Sequence, residues 1–127
     1  MKNDRMFLKC EKCGNIIDMI QSSGVTPVCC NEKMKELTPN TVDAAQEKHI
    51  PVGSRDSIQL SVSVGSVLHP MLEKHHIAWI AIAQGKSTQR VMLDYTGEPV
   101  ATFSTSGDEP ITMYAYCNLH GLWAAEL

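Results

Sequence analysis

No part of this chain stays apolar for long. The longest uninterrupted run, Ile77 to Ala83, is seven residues, against the roughly 20 that a membrane-crossing helix needs. Surplus positive charge is missing as well. Eleven Lys and Arg stand against fourteen Asp and Glu, a formal net charge of −3, which argues against nucleic acid as a partner because phosphate neutralisation needs an excess of cations. The opening MKNDRMFLKC has charge but no apolar stretch and no small-residue cleavage site, so no secretory signal is expected and the cytoplasm is the expected location. Helical periodicity is weak throughout, with at most a turn over residues 71–76, and neither an internal repeat nor a low-complexity tract is present.

Histidine is absent before residue 49, whereas four of the five cysteines lie before residue 31. An odd, clustered set of thiols in a reducing compartment points to metal or redox chemistry rather than to disulfides. Cys10-Glu11-Lys12-Cys13-Gly14 is a C-x-x-C knuckle, and Cys29-Cys30 follows fifteen residues later. Such a knuckle aims two thiolates at one point, with Gly14 permitting the tight backbone. Four sulfurs in a tetrahedron hold zinc or a single iron, and the spacing leaves both open. Adjacent cysteines are expected to distort the tetrahedron. A module this small needs such a staple to fold.

Composition changes near residue 38, where Leu37-Thr38-Pro39-Asn40-Thr41 reads as a linker. Beyond it, Ile58, Leu60, Val62 and Val64 alternate with polar residues, the period of a strand with one buried face. Further strands are expected over residues 77–82, 88–93, 101–105, 111–116 and 123–127, separated by turn residues such as Gly97-Glu98-Pro99. Short strands at such spacing predict an antiparallel sandwich or barrel.

The histidines are His49, His69, His75, His76 and His120. His49, His69 and His75 fall in expected loops at strand ends, and Cys117 with His120 in the turn between the last two strands, the places where a sandwich assembles a site. Imidazoles with one thiolate suit iron or copper. The thiolate donates electron density to the metal, and hydrogen bonds to its sulfur, for which the Cys-x-x-His turn offers the amides of Leu119 and His120, tune that donation.

Taken together, "KCEKCG", "VCC", "EKHIP", "LHPM", "EKHHI" and "YCNLHGLW" resemble the desulfoferrodoxin type of superoxide reductase across nearly the whole chain. The resemblance implies an all-β protein: a small rubredoxin- or desulforedoxin-like module over 1–37, then an immunoglobulin-like antiparallel β-sandwich over 38–127 carrying the catalytic iron. It implies two mononuclear irons, one held by Cys10, Cys13, Cys29 and Cys30, the other by His49, His69, His75 and His120 equatorially and Cys117 axially. His76 follows His75 directly, and on a strand neighbours point to opposite faces, so only one of the pair is expected at the metal. The matched motif selects His75.

The activity so implied is the one-electron reduction of superoxide to hydrogen peroxide. Lys48 is expected to attract the anion, which the chain's net charge would otherwise repel, and Glu47 resembles the glutamate that fills the sixth position of the oxidised iron. A rubredoxin-like electron donor and a homodimer are implied as partners. The four-cysteine metal is read as structural rather than as a relay. Two other classes compete: a zinc-binding adaptor, colourless and without iron, and an electron carrier, which needs no open coordination position.

Overall fold

The computed structural model describes residues 5–127, and the chain divides into two compact units with the boundary between Thr38 and Pro39. The first unit is built from very short strands: β1 (Phe7–Lys9), β2 (Ile16–Asp18), β3 (Val28–Cys29), β4 (Glu32–Lys33) and β5 (Lys35–Glu36). β1 lies between β2 and β5, antiparallel to both, while β3 and β4 form a separate hairpin. Its core is small, with Leu8, Cys10 and Met34 buried and Ile17, Met19 and Cys29 packed against them. A core this size supplies little stability unaided.

The second unit opens with a helical turn, α1 (Gln46–His49), followed by seven strands: β6 (Pro51–Asp56), β7 (Gln59–Val64), β8 (Ile77–Gln84), β9 (Ser87–Met92), β10 (Val100–Ser104), β11 (Ile111–Cys117) and β12 (Gly121–Glu126). They form two antiparallel sheets, ordered β10-β7-β6 and β12-β11-β8-β9, an immunoglobulin-like sandwich. Leu60, Val62 and Val64 from β7 meet Ile80 and Ile82 from β8, Phe103 from β10, and Ile111, Met113 and Ala115 from β11 in one core. These positions follow the two-residue period of the pleat.

Three features depart from the expectations. Ile58 is 65% exposed rather than on the buried face, because the β6–β7 hairpin turns at Ser57-Ile58, with Asp56 paired to Gln59 and Ser57 at φ +57°. β6 has no alternating pattern, yet it is an edge strand, where a leading proline is tolerated. A Cβ on Gly53 would lie 2.7 Å from Met113 Sδ and 3.0 Å from Leu127 Cδ2, so there the backbone itself packs on the core. Finally, His49 closes a helical turn rather than lying in a loop. Ile50 N–H caps that turn on Gln46 O, and Ile50 itself is extended (ψ 123°), as a residue preceding proline prefers.

In this topology the start of β6, the end of β7, the start of β8, the end of β11 and the start of β12 share one end of the sandwich. The pairings Pro51 with Val64, Ile77 with Cys117 and Cys117 with Gly121 place them there.

Candidate metal centres

The histidines other than His76 reach this end from three segments, with His69 and His75 sharing the long β7–β8 connection. His49 closes α1. His69 lies in the β7–β8 connection, its amide donating to Val64 O at 2.7 Å. His75 sits in a tight turn whose backbone pairs Leu72 with His75 in both directions, at 2.9 and 3.1 Å. Cys117 ends β11, and the three-residue loop to β12 carries His120 and closes on Gly121 at φ +79°, the left-handed position such a loop needs.

One potential donor atom from each of His49, His69, His75, Cys117 and His120 lies within 4.8 Å of every other. The rings run in the cyclic order His49, His69, His75, His120. Neighbouring centroids are 4.7, 4.6, 5.1 and 4.9 Å apart and near perpendicular, whereas His49 and His75, across the ring, are 6.5 Å apart. The cross-ring separation exceeds the neighbour separation by nearly the ratio of a square's diagonal to its edge. Cys117, fully buried, supplies the fifth donor, its Sγ 3.8 Å from His120 Nδ1.

The hydrogen bonds identify the inward nitrogens. His49 Nδ1 lies 2.6 Å from Ala45 O, and His69 Nδ1 2.7 Å from Pro70 O. A carbonyl only accepts, so each Nδ1 carries the proton and each Nε2 presents a lone pair. Those two Nε2 atoms face each other at 3.2 Å, and His49 Nε2 is 3.1 Å from His120 Nδ1. His75 Nε2 is buried with no hydrogen-bond partner. Lone pairs this close repel unless a cation lies between them. A square with a 3.1 Å edge has its centre about 2.2 Å from each corner, close to the roughly 2.0–2.1 Å of imidazole–metal bonds.

Electrostatics favours the metal-binding form of the imidazoles. Burial lowers the pKa of His49 and His75 and brings that of His69 down to about 4, against weaker opposition from the Ala45 and Pro70 carbonyls at His49 and His69. The rings are therefore neutral near pH 7. Burial raises the pKa of the Cys117 thiol, while the amides of Leu119 and His120 oppose it, the latter 3.4 Å from Sγ. A thiol so placed ionises readily only against a cation.

The four cysteines of the first unit form a second group. Gly14, at φ +83°, closes the C-x-x-C turn by donating to Cys10 O at 2.9 Å. Cys30 and Asn31, both left-handed at φ +53° and +63°, form the two-residue turn joining β3 to β4. That turn lets both vicinal thiols join the group. Cys13 Sγ and Cys29 Sγ are 3.6 Å apart, and a tetrahedron of that edge has its centre about 2.2 Å from each vertex, near the roughly 2.3 Å of metal–thiolate bonds. The Cys13 amide brings the Cys10 thiol down to about 6, while contacts with Cys13 and Cys10 hold the proton on Cys29 and push Cys30 up to about 12. Such proton sharing among crowded sulfurs is what a bound cation relieves.

Glu47 and Lys48 are exposed on α1, and neither belongs to the five-donor group. Lys48 nevertheless contributes its positive charge at both His49 and His75. His76 lies outside the group. Its Nδ1 is 2.9 Å from Leu72 O and its ring packs 6.1 Å from Tyr95. Trp123 was not singled out from the sequence, although "HGLW" placed it three residues after His120. Its ring packs on His49 at 4.9 Å and its Nε1 donates to His120 O at 3.1 Å, so it braces two of the four imidazoles.

The fold and the two donor sets define a protein with two mononuclear iron sites, a tetrathiolate on the first unit and a four-imidazole, one-thiolate group on the second. Family models agree in both parts, the desulfoferrodoxin N-terminal domain over residues 3–37 and desulfoferrodoxin over residues 41–126. The chain belongs to the desulfoferrodoxin family. It is 44% identical over 118 residues to a desulfoferrodoxin of Syntrophotalea carbinolica, covering 93% of each chain, and 40% identical over 126 residues to one of Nitratidesulfovibrio vulgaris, covering 99% of each. Among solved structures it resembles the superoxide reductase from Treponema pallidum, with a TM-score of 0.79 and 35% identity over 97% of this chain and 99% of that one.

Proposed function

We propose that this chain is a superoxide reductase, an oxidoreductase that combines one superoxide, one electron and two protons into one hydrogen peroxide. The observation that carries the reading is the square of inward imidazole nitrogens with the buried Cys117 thiol beside it. The group holds five donors and no sixth histidine, cysteine or carboxylate, so a metal that takes six ligands would keep one place for a small molecule. Ferrous iron held there supplies the electron and an open site for a small anion.

The chain's own residues supply the rest. His49, His69 and His75 bind through Nε2 and His120 through Nδ1, and the Ala45 and Pro70 carbonyls fix the first two rings. Cys117 binds as thiolate, its charge moderated by the amides of Leu119 and His120. Lys48 draws the anion toward a protein of net charge −3. Glu47, exposed on α1, would be the carboxylate that could close the remaining position when the iron is oxidised. Cys10, Cys13, Cys29 and Cys30 hold the other iron, whose role is to fasten a unit with little core of its own. Residues 1–37 serve as that module and 38–127 as the catalytic domain.

A rubredoxin-like carrier in the cytoplasm is the proposed electron donor. A homodimer is supported by Ile20, Val25 and Val28 of the small unit, exposed by 87%, 74% and 65%, where a second copy would cover them. No helix among the described residues is long and apolar enough to cross a membrane.

Rapid mixing of the reduced protein with superoxide tests the activity. Reduction yields one peroxide per superoxide consumed and no dioxygen. Equal yields of dioxygen and peroxide mean dismutation, and an unaltered decay of superoxide means that the centre only carries electrons or is structural. Azide binding to the oxidised second centre supports the open position.

A further inference from the structure

Three of the four imidazoles are steadied in ways already described. His49 and His69 donate from Nδ1 to backbone carbonyls, and His120 has its carbonyl held by Trp123. No such bond holds the His75 ring among the described residues, and its Nε2 has no polar partner at all. The sheet does not fix it either. The β8–β11 ladder shifts register between Tyr116 and Cys117, pairing Tyr116 with Trp79 but Cys117 with Ile77. This bulge at Ala78 interrupts the ladder just before it reaches the ligands.

Beyond that interruption, Asn118 makes the connections. Its Oδ1 accepts from the His76 amide at 2.9 Å, its Nδ2 donates to Lys74 O at 3.0 Å, and its own amide donates to His76 O at 3.2 Å. These three bonds grip the backbone on both sides of His75 from the residue that follows Cys117 in the chain.

We propose that Asn118 is a positioning residue that fixes His75 relative to the Cys117 sulfur, setting how tightly the second centre holds its metal and how strongly the thiolate interacts with it. The proposal rests on the reading that His75 and Cys117 bind one iron. Asn118 acts on the backbone that carries His75, as the Ala45 and Pro70 carbonyls act on the rings of His49 and His69. Loss of such a partner costs roughly 10- to 100-fold in metal affinity.

The test uses the iron-loaded full chain. Asn118→Ala and the milder Asn118→Ser, whose hydroxyl is too short to span both partners, are compared with wild type and with Asn40→Ala. The last is a control for simple structural loss, because Asn40 makes two side-chain bonds of similar length to the backbone of Ala124. Iron release to a ferrous chelator is followed separately at the two centres through their thiolate-to-ferric charge-transfer bands after reoxidation.

The expected result for Asn118→Ala is release from the second centre faster by about 10-fold or more, with a shifted or broadened second band, an unchanged four-cysteine centre, and a smaller effect in the same direction for Asn118→Ser. Release rates and band positions in both Asn118 variants equal to those of Asn40→Ala would overturn the proposal while leaving the metal assignment intact. A wild-type protein with no second thiolate band would overturn the assignment and the proposal with it.

Discussion

Gly65→Ala is a small change whose consequence can be worked out from distances. A Cβ at Gly65 would lie 2.6 Å from Glu47 O, 3.0 Å from Ile50 O and 3.0 Å from Lys48 C. All three atoms belong to the backbone of α1 or its cap, so no side chain can swing aside. Ordinary contact begins near 3.4 Å, so the helical turn must retreat by about 0.4 to 0.8 Å, a range consistent with the cost of overpacking, about 1–3 kcal/mol. In a unit of this size each kcal/mol lowers the melting temperature by about 4–8 °C. The shift falls on the segment carrying Glu47, Lys48 and His49, and metal–ligand distances tolerate only about 0.2 Å. Gly65→Ala is therefore expected to lose most iron from the second centre and to melt earlier, with the four-cysteine centre spared. Metal analysis, the two charge-transfer bands and thermal melting decide it. A variant with two irons, an unchanged second band and an unchanged melting temperature would refute the claim that this contact positions His49.

Three further predictions follow from the same geometry. Lys48→Ala should slow the second-order reaction with superoxide by about tenfold at low salt and flatten its ionic-strength dependence; an unchanged rate in stopped flow removes the steering role. Cys117→Ser should abolish the charge-transfer absorption of the second centre while sparing the first, and retention of both bands refutes the thiolate assignment. In the metal-free protein the unfolded chain binds protons on its imidazoles near pH 6.5, whereas folded His69 does so only near 4 and folded His49 and His75 also below their ordinary value. Stability of the second unit is then fully present above about pH 6.5 and falls as the pH drops toward 4. Both tryptophans, Trp79 and Trp123, lie in that unit, so fluorescence-detected melting reports on it alone; a melting temperature flat over this range contradicts the depressed values.

Six strands of the sandwich were legible, one because Leu60, Val62 and Val64 alternate with polar residues and the others as short runs set off by turn residues, since β8 and β11 are buried along nearly their whole length. β6 was not, since Pro51 and Gly53 carry no pattern and the glycine packs through its backbone. The strands of the first unit are two or three residues long, too short for any period to register. The donor residues were legible as motifs, but the residues alone left the metal of the cysteine group open between zinc and iron. Which ring nitrogen faces inward depends on the Ala45 and Pro70 carbonyls, which every residue possesses. The packing of Trp123 on His49 and the supports from Gly65 and Asn118 arise from chain segments that meet only after folding, and a single sequence does not show such meetings.

Iron-edge X-ray absorption of the two-iron protein tests the central arrangement most directly. Five sulfur and four histidine nitrogen scatterers, shared between two irons in each chain, are expected. A spectrum of sulfur alone, or of a single iron with four sulfurs, would contradict it.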